Sequence, residues 1–370
     1  MGCGMPNAPV PSAPPFCPNE ACPYHRQAMS SWHYVKFGFF TREKPPYRVQ
    51  RYRCCHCRRH FSDQTFETSY WLKCPEVQVP VFHLLVGCMC FRQAARMLDV
   101  SPQTIATHSA RVARHCQLFH ESHRPRGAVT EPLVLDTFVT FEYSQYHPTG
   151  FHLLAGQESH FLYGFTDTEL RRSGRMTKPQ KGKRARLETE FGKPDPRSTE
   201  KEVRNLLSIV LRAPQQLMLF SDEHMDYPRA LKGIGHIHFE HRTISSRAAR
   251  TTRNPLFAIN LADGLIRHSS AGHKRETIAF AKRRQCAAER LWAFLVWRNY
   301  VKSFSERKRD ASPAMRLGTA GMRYSVEEVL AQRLFPGRVR LPERWARYYW
   351  RQVPTRMIPN GRVHHRKYAV

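Results

Sequence analysis

Two cysteine pairs, Cys17-x4-Cys22 and Cys54-x2-Cys57, bracket a short β-rich stretch, and this arrangement constrains the fold more than any other feature of the chain. The runs His33 to Phe40 and Tyr47 to Arg53 are aromatic and β-branched and are split by Glu43-Lys44-Pro45-Pro46, the pattern of a hairpin. Zinc takes four soft ligands in a tetrahedron, conveniently delivered as two close pairs, so residues 17–61 are predicted to form a zinc ribbon. The first spacing is looser than the usual two residues, which leaves His25, Cys55 and His56 as alternative ligands. Cys55, adjacent to two ligands, is expected to point away. The chain has 11 cysteines, an odd number, and their crowding favours a metal in a reducing compartment over disulfides.

Charge narrows the partner. Across 370 residues, 59 Lys and Arg face 30 Asp and Glu, a net +29, which points to a polyanion: nucleic acid or an anionic membrane surface. The longest apolar stretches, Val79 to Cys90 and Leu291 to Trp297, fall short of the roughly 18 residues a spanning helix needs. The N-terminus shows neither a secretory nor a myristoylation pattern, so a soluble, intracellular protein with no membrane partner is expected. Residues 1–16, with Pro6, Pro9, Pro11, Pro14 and Pro15, read as a disordered leader.

Residues 75–123 are predicted to be an all-α helix-turn-helix. The helical pattern breaks at Asp99-Val100-Ser101-Pro102, where Ser101 is a good N-cap and Pro102 a good first helical residue. In the helix that follows, Ile105 and Val112 share one face. Gln103, Thr107, Arg111 and Arg114 fall near the opposite one, which would meet the major groove of DNA.

An α/β domain is predicted over 129–305. Strand-like runs occur at Leu133-Val134-Leu135, Val139 to Tyr143 and His160 to Phe165. An exposed basic loop spans Arg171 to Arg186, a helix runs from about Thr199 to Leu211, and a buried strand covers Gln216 to Phe220. Asp136 and Asp222 each close a buried strand, where ligand sites in α/β sheets form. In a basic protein two such acids can hold Mg²⁺ or Mn²⁺ for phosphodiester chemistry. His236, His238 and His241 alternate as in a strand, and Trp292, Phe294 and Trp297 read as core. Residues 306–370 form a helical, basic C-terminal extension, only partly ordered after Pro342.

The order of these parts, with Tyr52-Arg53-Cys54-Cys55-His56-Cys57-Arg58-Arg59-His60-Phe61-Ser62, Leu135-Asp136, Ser221-Asp222 and Asn254-Pro255-Leu256-Phe257, resembles bacterial insertion-sequence transposases with a ribonuclease H-like DDE domain. That resemblance covers most of residues 17–330. It implies a catalytic ribonuclease H-like fold, Asp136 and Asp222 as ligands of Mg²⁺ or Mn²⁺, and binding to the inverted-repeat ends and target DNA as a homo-oligomer in the bacterial nucleoid. It also implies a third acid with Lys or Arg seven residues on. Asn260, followed at that spacing by Arg267 as a DNA contact, ranks first; Asp263 and then Glu276, which has Arg283 seven on, are the alternatives. A catalytically inactive DNA-binding regulator is the rival expectation.

Overall fold

The computed structural model describes residues 13–26, 31–43, 46–274 and 277–359. Most of the proposed leader and all of Glu276 lie outside them. Near the N-terminus, β1 (Tyr34–Thr41), β2 (Arg48–Cys54) and β3 (His60–Ser62) form an antiparallel sheet in that order. Tyr34 pairs with Cys54 and Thr41 with Arg48, and the register shifts between Lys36 and Phe39, where Gly38 takes φ 68°. So small a unit buries too little apolar surface to stand on its own. Its core is built from Phe16, Trp32, Tyr52, Phe61 and Phe66 around Cys17, Cys22 and Cys54, and it borrows Phe335 from far along the chain. Phe16 therefore belongs to the ribbon core, not to a leader.

Three helices follow: α1 (Gln78–Val86), α2 (Phe91–Met97) and α3 (Pro102–His123). The turn expected between the last two is present. Ser101 Oγ accepts the Thr104 N–H at 3.1 Å, Pro102 opens α3, and Asp99 turns the chain at φ 48°. The amphipathic reading of α3 holds only for its first two turns. From His108 to Glu121 every residue is buried, because α1, α8 (Arg284–Val296), α10 (Val326–Ala331) and α11 (Glu343–Tyr349) all pack against it.

The large sheet has the order β6-β5-β4-β7-β8, from β4 (Leu133–Phe141), β5 (Pro148–Gly156), β6 (Leu162–Glu169), β7 (Gln215–Ser221) and β8 (Ile237–Thr243). Strands β4, β5 and β6 run antiparallel in succession, whereas β7 and β8 extend the sheet parallel to β4. Side chains alternate between faces along a strand, so the unbroken burial of Thr149–Gly156 in β5 means that both faces of the sheet are covered. Among the covering helices, α5 (Ser198–Val210) lies on β5 and β6, α6 (Asp226–Lys232) packs on α5, and α7 (Phe257–Ser269) lies on β4 and β5. The histidines of 236–241 lie at and within β8, as their alternation predicts, and Trp292 and Phe294 are core.

Three expectations are corrected. Asp136 does not close a strand: the runs at 133–135 and 139–143 merge into β4, which continues past it. The basic stretch is no plain loop, for its second half enters α4 (Lys178–Phe191), none of whose side chains is buried. Up to residue 359 the C-terminal segment is no loose extension either. Helices α9 (Pro313–Arg316), α10 and α11 contribute Ala314, Val329, Trp345 and Tyr348 to the core of the α/β domain, so the boundary at 306 does not divide two cores. Gly164, at φ 148°, makes room for Trp345: a Cβ there would sit 2.3 Å from its ring. Among the described residues, no helix is long and apolar enough to cross a membrane.

Candidate metal centre and carboxylate site

The ribbon gathers the Sγ atoms of Cys17, Cys22, Cys54 and Cys57 within 4.8 Å of one another, Cys17 and Cys57 at 3.6 Å. Tetrahedral zinc with four thiolates sets sulfurs about 3.8 Å apart, so the donor set fits. Local hydrogen bonds shape each half. The Cys22 N–H donates to Asn19 O at 2.9 Å, and the Arg58 N–H donates to Cys54 O at 3.0 Å with Arg58 at φ 59°. Burial raises the Cys54 thiol, but the Cys57 and His56 N–H groups and the Trp32 indole, 3.3 Å from its sulfur, outweigh it and bring it down to about 7. Burial drives the Cys17 and Cys22 thiols the other way. Such crowding of thiols favours a cation that removes their protons. Of the alternative ligands, His25 donates Nδ1–H to Cys17 O at 2.8 Å, while Cys55 and His56 are exposed. Among the described residues, these four cysteines are the one group of three or more Cys, His, Asp or Glu set closely enough to hold a metal ion.

The carboxylates meet where β4 and β7 run parallel. Leu135 pairs with Ser221, so the next residues, Asp136 within β4 and Asp222 just past the end of β7, come side by side. Asp136 Oδ1 accepts the Thr137 N–H at 2.7 Å, and Asp222 Oδ1 accepts the His224 N–H at 3.1 Å. Burial, reinforced by the Asp222 charge, holds Asp136 above the ordinary carboxylate range against the pull of the Thr137 N–H and Arg250. A cation between the two would relieve that repulsion. Beneath them, Tyr227 is fully buried, its hydroxyl 2.9 Å from Thr137 Oγ1, which lies 2.6 Å from His152 Nδ1. Burial and then the charges of Asp136, Asp222 and Asp263 push the Tyr227 phenol well above its usual range, so one hydroxyl senses three carboxylates.

Asp263, on α7, acts on the Tyr227 phenol through its charge but is not gathered with Asp136 and Asp222 closely enough to form a three-carboxylate group. Asn260, one turn earlier and half-buried, adds an amide oxygen on the same helix but no charge. Sequence reasoning missed Tyr227, Thr137 and His152, and the one available signal was that Thr137 adjoins Asp136 and Tyr227 follows Asp222 by five residues.

The expected DNA contacts divide. Gln103 and Thr107 are exposed on the first turns of α3. Arg111 and Arg114 are 3% and 6% exposed, and Arg111 donates to Tyr70 O at 3.1 Å. Both are enclosed where other elements pack round α3, so the exposed basic face predicted for them is corrected. Arg267 donates to His273 O at 3.2 Å and Val139 O at 3.4 Å, bracing α7 against β4. No family model matches the chain, and no curated protein matches it.

Proposed function

We propose that the protein is a DNA transposase that cleaves and rejoins strands at the ends of its own element. The observation carrying this reading is the placement of Asp136 on β4 beside Asp222, which directly follows the parallel strand β7. The strand order is that of a ribonuclease H-like domain, which supports the resemblance read from the sequence. Asp136 and Asp222, with Asp263 or Asn260 supplying a further oxygen, would hold Mg²⁺ or Mn²⁺. When bound, that ion neutralises phosphate charge and makes water a better nucleophile. The chain's own part is positioning. Thr137 and His224 fix the two carboxylates through backbone N–H groups, and the buried Tyr227–Thr137–His152 chain of hydroxyls and imidazole stiffens the floor beneath them. Water opens a phosphodiester bond and leaves a 3′-hydroxyl, which then attacks a phosphorus of the target strand and displaces its 3′ oxygen.

In this reading the ribbon carries structural zinc and, with Gln103 and Thr107, binds the inverted-repeat ends, while the net charge of +29 draws in the target DNA. The protein works as a homo-oligomer on DNA in the bacterial nucleoid. The amide at Asn260, where the family pattern places an acid, favours the second reading: a DNA-binding regulator that keeps the fold without the chemistry. The deciding test is strand cleavage by the zinc-loaded chain on DNA carrying the segments that flank its gene, with Mg²⁺ or Mn²⁺. Nicking that depends on the added ion supports the transposase, and tight binding without any nicking supports the regulator.

A further inference from the structure

On the outer side of the ribbon lies an open groove of about 950 Å³, bounded by β1, the Cys54–His60 turn and the segment 61–73. Its lining is one-signed. Arg42, Arg51, Arg58, Arg59 and Lys73 contribute to it, and among the described residues no Asp or Glu does. It is also aromatic where a folded chain normally hides such groups. Trp71 is 74% exposed and Phe40 40%, and β1 as a whole presents an open sheet edge. Trp71 further adopts φ 59°, a left-handed backbone that a bulky residue takes only at a cost of about 1 to 3 kcal/mol. Trp71 meets Tyr70 edge-on, their ring centroids 6.1 Å apart, and still leaves most of its indole facing solvent.

We propose that this groove seats a single-stranded stretch of DNA, with phosphates along the arginines and bases stacked on Trp71 and Phe40. Charge decides against a second copy of the chain, since another protein of +29 is repelled by a groove of the same sign. Aromatic faces decide against a duplex: they stack on bases whose own faces are open, and a duplex closes them. The inference deepens the proposed function by naming a surface and the strand state it takes, and it rests only on the nucleic-acid part of that reading.

The test is fluorescence anisotropy of the full zinc-loaded chain with a labelled oligothymidylate of about 15 nucleotides, beside a random duplex of equal length. Trp71→Ala is expected to weaken oligothymidylate binding about 5- to 150-fold, the range for one lost stacked base, with duplex binding within about twofold. Trp71→Phe, which keeps a ring, is expected to recover most of the affinity, and binding should quench indole fluorescence in the wild type but less in Trp71→Ala. Because Trp71 is exposed, the substitution leaves the packed core alone. Equal losses on both DNAs, or no loss on the oligothymidylate, overturn the groove assignment. So does concentration-dependent dimerisation abolished by Trp71→Ala. Duplex binding that survives alongside such a result leaves the transposase reading standing, whereas failure to bind either DNA removes both.

Discussion

Asp167 sits on β6 with 2% of its surface exposed, and it keeps its charge only because cations reach it. Arg344 Nη2 lies 2.7 Å from one oxygen and Arg284 Nε 3.1 Å from the other, and the Tyr348 hydroxyl donates to it as well. Burial would raise this carboxyl, but Arg344, Arg284 and Tyr348 together hold it below its ordinary value. Removing one partner of a buried pair strands the other, at about 3 to 5 kcal/mol. Asp167→Asn should therefore lower stability by about that amount in urea denaturation at pH 7. A loss under about 1 kcal/mol would mean that Glu202 and Glu169, which also pair with Arg344 and Arg284, compensate. None of this was legible in the sequence. Asp167 is one acid among 30, and its importance comes from residues more than a hundred positions away that only the fold brings to it.

The elements whose signals are local were read correctly. The cysteine spacings, the Ser101-Pro102 cap, the β7 run and the alternation in β8 all depend on neighbours within a few residues, and each is where it was expected. The failures lie where packing overrides pattern. Helix α3 looks amphipathic, yet helices from the C-terminal third close over its polar side, so Arg111 and Arg114 are inside. Likewise α11 carries two arginines and two tyrosines in seven residues and reads as a basic surface piece, while its Trp345 and Tyr348 are fully buried. At the ribbon the expectation is specific. The purified protein should carry about one equivalent of zinc, and Cys54→Ser should release it and shift Trp32 emission to longer wavelength, since the indole loses its sulfur partner and then the surrounding core. Zinc-free protein with an unaltered ribbon would refute this.

At the scale of the whole molecule, buried histidines make the fold sensitive to acid. Burial is the main cause holding His115 at about 4, and His120 and His273 at about 3, each fully enclosed. In the unfolded chain they titrate near about 6.5, so between that pH and about 4 the unfolded state binds more protons. Stability must therefore fall as pH drops through this window, by about 1.4 kcal/mol per pH unit for each histidine that stays neutral in the fold. Asp167, lowered in the fold, adds its loss only further into acid. A melting temperature unchanged between pH 7 and 5 would show that these rings are hydrated and free to charge. The same assembly, with helices from both ends of the chain locking the sheet, is what holds β4, β7 and α7 in register around the carboxylates. The most direct measurement is the metal-dependent cleavage rate on the flanking DNA for the wild type, Asp136→Asn, Asp222→Asn, Asp263→Ala and Asn260→Ala. The account predicts that both Asp→Asn variants lose cleavage while binding duplex as tightly as the wild type or slightly more so, because a negative charge near the phosphates has gone. Undiminished cleavage by Asp136→Asn or Asp222→Asn would contradict it.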